Sequence, residues 1–498
     1  MTDEDDSDSE VSPSTAGDGL GARRRRADAE QNFSRIIEAT VELMQRDPAP
    51  GIDQIAAAAN LGRATVYRHF ANRAELLEAA RRQALEDEVV EASDGTADAP
   101  NLGDATAEIF DIGELFNRVP PHLLGDQVVA EARRLPGVSS AALYVVDIDG
   151  SRLLRFAGSQ EFPSELRAPL AVGPEIPREG IANLRRLLAD ELPGSVAAPL
   201  YLRGRAIGLL LAVGAKQTTL DMLARQAAPA IDLAERYTDG FAVARRHKTI
   251  SAAGEIQQNL LPPRVVQMTG ATLAGNVLPS YDVGGDWYDC AENSDGAWLA
   301  VADATGKGAS AASLGALALG AFRAARRSGA NLEQAVSAIH EAVLSVSESR
   351  AVVTAVIGRW HAPSATFTWI NCGHPFPALI TPDGNLHPLK TPPSKALGAE
   401  GSGDPGWTSD SIHLTAGERL ILYCDGVTDR RNATGGQLGL NGIKDAVINA
   451  RNTSAAATLK AIEGAVTDAC TDPVEDDATL IVLTPTPPSE TIASPPNQ

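Results

Sequence analysis

The run Trp298-Leu299-Ala300-Val301-Ala302-Asp303-Ala304-Thr305-Gly306-Lys307-Gly308 is apolar until it reaches an aspartate, then breaks into a glycine turn. A strand that stops at Asp303 sets a carboxylate at a sheet edge, where carboxylates from other strands can meet it. Three further stations repeat the arrangement: Val283-Gly284-Gly285-Asp286-Trp287-Tyr288-Asp289, Leu420-Ile421-Leu422-Tyr423-Cys424-Asp425-Gly426-Val427-Thr428-Asp429, and Asp476-Asp477-Ala478-Thr479-Leu480-Ile481-Val482-Leu483. Asp and Gly are ordinary turn residues, so a single station could simply cap a strand. Four in series, each beside an apolar stretch, point to one shared site. Grouped carboxylates repel unless a cation lies among them, and oxygen-only donors select Mg2+ or Mn2+ over zinc. A pair of such ions can activate a water and clamp phosphoryl oxygens, which suits direct hydrolysis of a phosphomonoester.

Taken with AGEIQQNLLPP (Ala253 to Pro263) and NCGHPFPALI (Asn371 to Ile380), these stations resemble the SpoIIE-like branch of the protein phosphatase 2C superfamily over about residues 250 to 485. The resemblance implies an αββα sandwich with two Mn2+ or Mg2+ ions between its sheet edges, acting on phosphoserine or phosphothreonine in a protein. It matches Asp286 to the aspartate bridging the ions, Asp303 to a ligand with the Ala304 carbonyl beside it, and Asp425 and Asp476 to the remaining carboxylates. Trp287, Ala304, Cys424 and Asp429 replace commoner residues of the pattern without removing a carboxylate. Position 305, a histidine in the eukaryotic branch, is Thr305 here, and His374 in its Gly-His-Pro turn reads as structural. The substrates usual in that family, phosphorylated anti-sigma-factor antagonists, imply a bacterial signalling circuit.

Upstream, the chain divides further. Residues 1–21 form an acidic tail with six acidic residues in the first ten, a composition that cannot order itself. In 22–88 a helix with Phe33, Ile36, Ile37, Thr40, Val41 and Met44 on one face is followed by Ile52 to Ala59, a turn at Asn60-Leu61-Gly62, and a third helix from about Arg63. Two short helices joined by a tight turn suit a major-groove reader. Between Arg23 and Arg82 there are 11 Arg against 8 Asp plus Glu, a local excess of three positive charges in a chain of net charge -21. The segment ATVYRHFANRAELL resembles the TetR family, which makes this an all-α helix-turn-helix domain with Arg63, Thr65, Tyr67 and Arg68 as candidate DNA contacts. A packing or dimerising role, with Tyr67 and Phe70 in a core, is the alternative.

Residues 89–104 read as a linker. Between 105 and 237, helix, strands, a Gly150 turn, a helical segment near Ile181 to Leu188 and the pair SVAAPLYLRGRAIGLLLAVG resemble an α+β GAF domain, a sheet flanked by helices that either senses a small ligand or dimerises the chain. Residues 238–262 are expected to form a linker helix over Phe241 to Leu261, ended by Pro262-Pro263. Residues 263–485 are the catalytic domain and 486–498 a second tail.

The 498 residues suit about three domains. The acidic balance opposes a general nucleic-acid or membrane-surface binder, the widely spaced Cys290, Cys372, Cys424 and Cys470 fit neither zinc nor a disulfide framework, and no apolar run is long enough to span a bilayer. A cytoplasmic homodimer is expected. The competing reading is a TetR-type transcription regulator whose phosphatase-like part only senses or scaffolds.

Overall fold

A computed structural model describes residues 112–486 apart from 279–283, 347–350, 402–405, 451–452, 471–475, 393 and 434; before that it describes 35–41, 50–70 and positions 32, 43, 44, 76 and 80. The predicted acidic tail, the 89–104 linker and all but the first residue of the 486–498 tail lie outside the described residues. The chain separates into two units, Met1–Phe110 and Asp111–Gln498.

In the first unit, residues 35–41 are helical, and Ile36, Ile37 and Thr40 are buried, as the three-and-four spacing requires. Helices α1 (Ile52–Ala58) and α2 (Arg63–His69) follow, with Asn60 at φ 54° making the tight turn between them. Arg35 reaches across to donate to the Ala59 carbonyl at 2.9 Å. Phe70 joins the core with Ile55 and Val66, whereas Tyr67 remains 46% exposed on the outer face of α2.

In the second unit, after helical residues 112–118, come α3 (Leu124–Arg134), β1 (Ser140–Val146), β2 (Arg152–Gly158), β3 (Glu165–Arg167), β4 (Ile176–Pro177), α4 (Ile181–Glu191), β5 (Ser195–Leu202), β6 (Arg205–Val213) and α5 (Gln217–Ala234). The strands form one antiparallel sheet in which β6 lies between β1 and β5. Strand β1 is buried throughout because successive side chains serve opposite cores: Ala141, Leu143 and Val145 meet α3 and α5, while Ala142, Tyr144 and Val146 meet α4.

The expected single linker helix is instead broken. Helix α6 (Gly240–Ala244) stops, and α7 (Ala252–Leu260) starts afresh at Ser251, whose hydroxyl accepts the Gly254 N–H at 3.0 Å. The residues between are held by the sheet domain. The buried Arg245 guanidinium donates to the carbonyls of Val146, Pro174 and Ile207 and to Glu235, and His247 pairs with Asp147. Helix periodicity in the sequence carries no signal for such tertiary anchors.

The remainder is a four-layer sandwich. One sheet runs β15-β12-β11-β10-β9, from β9 (Trp287–Asn293), β10 (Gly296–Ala304), β11 (Val353–His361), β12 (Thr366–Cys372) and β15 (Ser409–His413). The other runs β14-β13-β16-β17-β8-β7, from β7 (Val265–Met268), β8 (Ala271–Leu278), β13 (Ala378–Ile380), β14 (Leu386–Pro388), β16 (Arg419–Tyr423) and β17 (Ala478–Pro485). Helices α8 (Gly308–Arg327) and α9 (Leu332–Val346) cover the first sheet through Phe322, Val336 and Ile339. After the short α10 (Asp425–Thr428), α11 (Gly439–Asn449) and α12 (Ala455–Asp468) cover the second through Ile443, Leu459 and Ile462. Between the sheets, Tyr288, Leu299, Val301, Trp360 and Trp369 pack against Leu273, Leu420, Leu422 and Ile481. This is the αββα architecture that the resemblance implies.

Candidate active site

The period-two rule of the strands places the site. In β10, Ala297, Leu299 and Val301 point between the sheets, so Asp303 is next on that face. In β9, Tyr288 points the same way, and Asp286 precedes it by two. Trp287 pairs with Ala302, and continuing that antiparallel register sets Asp286 opposite Asp303. Ile481 of β17 shares the face, which aims Thr479 and Asp477 at the same edge. Asp425 caps the end of β16 on α10, and Asp476 sits just before β17.

Glycines let these segments close. A Cβ on Gly285 would lie 2.7 Å from the Ala304 carbonyl, and one on Gly426 would lie 2.0 Å from the Asp477 carbonyl. The GGD and CDG motifs therefore need glycine for close backbone approach.

Asp286 is 4% exposed, and its Oδ2 accepts the Thr479 hydroxyl at 2.6 Å. Burial, then repulsion from Asp303 and Asp477, holds its carboxyl well above the usual range. Asp303 is raised by burial and by Asp425 and Asp476, eased by a hydrogen bond with Asp286. Asp425, at the exposed rim, is raised by partial burial and then by Asp429 and Asp476. Asp303 is thus the carboxylate that faces all three others, whereas Asp286 faces Asp303 and Asp477. The four predicted aspartates are brought together, with Ala304 ending β10 beside them.

These four are spread more widely than one ion's coordination shell. Among the described residues, the group of three or more His, Cys, Asp or Glu with ligand atoms all within 4.8 Å of one another is Asp147, Asp149 and His247, at the β1–β2 turn. An all-oxygen set with unrelieved repulsion fits hard divalent cations, and its spread fits two ions better than one.

Two residues of the site carried little signal in the sequence. Asp477, the neighbour of Asp476, accepts the Gly284 N–H at 2.8 Å, the Asp286 N–H at 3.3 Å and the Gln257 amide at 3.1 Å, and burial pushes it up to about 6. Gln257 comes from α7, outside the sandwich, and also donates to the Asp286 carbonyl at 2.9 Å.

His374 is buried, with Nδ1 against the Thr354 hydroxyl at 2.8 Å and its main chain bonded to Asn371 on both sides; burial lowers its pKa to about 3. It is neutral at physiological pH and structural, as the sequence suggests. Thr305 is engaged with the Val352 main chain in both directions. Asp289, the last acid of GGDWYD, is not part of the cluster: it bonds Arg323 and Arg326 of α8 at 2.8 Å each.

In the first unit, Arg63, Thr65, Tyr67 and Arg68 all lie on α2. Arg63 and Tyr67 are exposed, Arg63 pairing with Asp53 at 3.0 Å; the Arg68 side chain is outside the described set. In the sheet domain both faces are filled by helices, and a cleft of about 350 Å3 opens at its edge beside Asp126, Arg133, Ser140, Ser159 and Glu161.

Residues 293–486 match the family described as Stage II sporulation protein E (SpoIIE), and residues 36–80 match the bacterial regulatory proteins of the tetR family. The first match includes Asp303, Asp425 and Asp476, and the second includes all four α2 candidates. Phosphoserine phosphatase RsbU of Bacillus subtilis (strain 168) is 25% identical over 235 residues, 47% of this chain and 69% of that protein. Among solved structures, the PP2C domain of SiaA from Pseudomonas aeruginosa is 20% identical with a TM-score of 0.40, covering 47% of this chain and 94% of that one. The RsbU and RsbW domains of a Mycobacterium tuberculosis protein are 23% identical with a TM-score of 0.39, over 44% of this chain and 63% of that one.

Proposed function

We propose that this chain, whose residues 293–486 form a SpoIIE-family phosphatase domain and whose residues 36–80 form a tetR-family domain, is a metal-dependent protein serine/threonine phosphatase under upstream control. The observation that carries the reading is the convergence of Asp286, Asp303, Asp425 and Asp476 on one sheet edge with their repulsion unrelieved. Asp303, which faces the other three, would help to hold two Mn2+ or Mg2+ ions. Asp286, Asp425, Asp476 and the Ala304 carbonyl complete the set. Bound there, the ions would activate a water and neutralise phosphoryl oxygens. The chain's own part is to hold the carboxylates apart at fixed positions, with Thr479 orienting Asp286. Neither the buried His374 nor the engaged Thr305 is placed to protonate the leaving group.

The relative's printed activity supports phosphoserine as the bond cleaved, and an anti-sigma-factor antagonist is the proposed protein substrate. For the first unit we propose DNA binding through Arg63, Thr65, Tyr67 and Arg68, and for the sheet domain a GAF-like sensing or dimerising role in a cytoplasmic homodimer.

With Mn2+, the full-length protein should hydrolyse p-nitrophenyl phosphate and a phosphoserine protein. Asp303→Asn should lower turnover by on the order of a thousandfold, since several kcal/mol of transition-state stabilisation would go. Equal turnover in the variant would refute the site.

A further inference from the structure

Helix α7 lies between the sheet domain and the sandwich and is tied to both. Near its start, Glu255 pairs with Arg246, beside the anchored Arg245 and His247, at 2.8 Å. At its end, Arg323 of α8 donates to the Leu260 carbonyl at 2.7 Å, and Arg264 donates to Gln258 at 2.7 Å and to the Pro262 carbonyl at 2.9 Å. The next residue, Val265, gives its N–H at 2.9 Å to Glu175, a buried carboxylate of the sheet domain that also pairs with Arg205 at 2.9 Å. The helix is therefore seated jointly by the two domains.

From the middle of this helix Gln257, 4% exposed, reaches the active-site loop. Its Nε2 has two protons and meets two acceptors, the Asp286 carbonyl at 2.9 Å and Asp477 Oδ2 at 3.1 Å. Both neighbours only accept, so the nitrogen must face them; the reversed amide would oppose oxygen to oxygen. The Gln257 oxygen has no partner, so the donor pair accounts for the residue's polar role at this buried position. Asp477 in turn holds the Gly284 and Asp286 N–H groups. One side-chain amide thus pins the segment that aims the Asp286 carboxylate, touching its main chain and never the carboxylate itself.

We propose that Gln257 is a positioning residue that makes divalent-metal affinity depend on the seating of α7. This rests on the phosphatase reading above. Groups that orient a ligand without touching the ion set metal affinity about ten- to a hundredfold. The chain is held on both sides of this helix, by connector residue Arg246 at Glu255 and by the sheet domain's Glu175 at Val265 of β7, and the upstream domain thereby gains a handle on how readily the active site fills.

The test uses full-length protein with Gln257→Met, which keeps length and loses both donors, and Gln257→Glu, which keeps shape and loses them while charged. Mn2+ binding is followed by the free-ion electron paramagnetic resonance signal, and hydrolysis of p-nitrophenyl phosphate by its Mn2+ half-saturation and its kcat at saturating Mn2+. Both variants should bind Mn2+ about ten- to a hundredfold more weakly, raise half-saturation by the same factor and nearly keep kcat at saturation; Gln257→Met should also nearly keep the melting temperature in chelator, whereas Gln257→Glu, which opposes a carboxylate to Asp477, should lower it. Unchanged Mn2+ affinity, or a loss confined to kcat or to melting temperature, would overturn the assignment. Should Gln257→Met fail to fold, Gln257→Glu decides by the same readouts. A wild-type protein that neither binds Mn2+ nor hydrolyses the ester defeats the phosphatase reading; one that does both while the variants match it defeats only the role of Gln257.

Discussion

Asp286 and Asp289 stand three residues apart around the start of β9, 4% and 2% exposed, and they meet opposite surroundings. Strand alternation turns Asp289 to the helix side, where Arg323 and Arg326 neutralise it, and turns Asp286 between the sheets, where its neighbours are more carboxylates. The fold pairs the acid that builds structure with two cations, whereas no ion pair among the described residues reaches the acids that meet at the sheet edge. Two identical side chains in one motif are thus told apart by which charge the fold leaves unbalanced.

The sharpest way to break this contrast is on the balanced side. Asp289→Asn should destabilise the protein by about 3 to 5 kcal/mol, because two arginines, one nearly buried, lose their partner. Urea unfolding measures it, and a loss under 1 kcal/mol would mean that solvent already screens the pair.

A smaller effect is expected on the unbalanced side. Mn2+ at a hundred times its dissociation constant should stabilise the wild-type protein by about 2.7 kcal/mol, and Asp303→Asn should lose that increment. The carboxyls of Asp286, Asp303 and Asp425 are raised, so without metal their contribution to stability is present below the ordinary carboxylate pKa and lost as pH rises through the raised values. The Mn2+ increment should therefore grow as pH rises from the ordinary carboxylate range through the raised values, as calorimetric melting would record. An increment that shrinks with pH would place the ion elsewhere.

The effect that is smallest at neutral pH concerns His374, a neutral group that contributes a pH dependence only in acid. Its folded pKa of about 3 lies below the unfolded value of 6.5, so the stability it confers is present above 6.5 and lost as pH falls toward 3. Relative to His374→Gln, the wild type should lose about 1.4 kcal/mol per pH unit in that window. Parallel unfolding curves for the two would remove the claim.

Much of this could be read from residues alone. The apolar runs ending at Asp303 and before Asp425, the run that follows Asp476, and GGD before β9 point to one site at a sheet edge, while the layers are legible only through the resemblance those motifs carry. The same logic could not choose between Asp476 and Asp477, because adjacent residues differ only by register, and register depends on pairing with β8 and β16. Alternation separates Asp289 from Asp286 by face, but it could not show that Asp289 is neutralised, since the arginines of α8 are distant in sequence. Gln257 looked like one more polar residue on a helix, and only the docking of α7 turns it inward. The break at Arg245–Ser251 leaves no sequence signal for the same reason: its anchors, Val146, Asp147 and Ile207, lie far upstream.

That break alters the mechanics of the connector. A continuous rod would carry rotation from end to end, but α7 is a short lever with its fulcrum at Ser251. At 1.5 Å per residue, Gln257 rides about 9 Å from that point, so a tilt of about ten degrees would swing it roughly 1.5 Å. The amide contacts at 2.9 and 3.1 Å cannot stretch so far and remain hydrogen bonds. The same tilt would pull Leu260 from Arg323 and from the core of the first sheet, so the latch on the loop and the seat of the helix give way together.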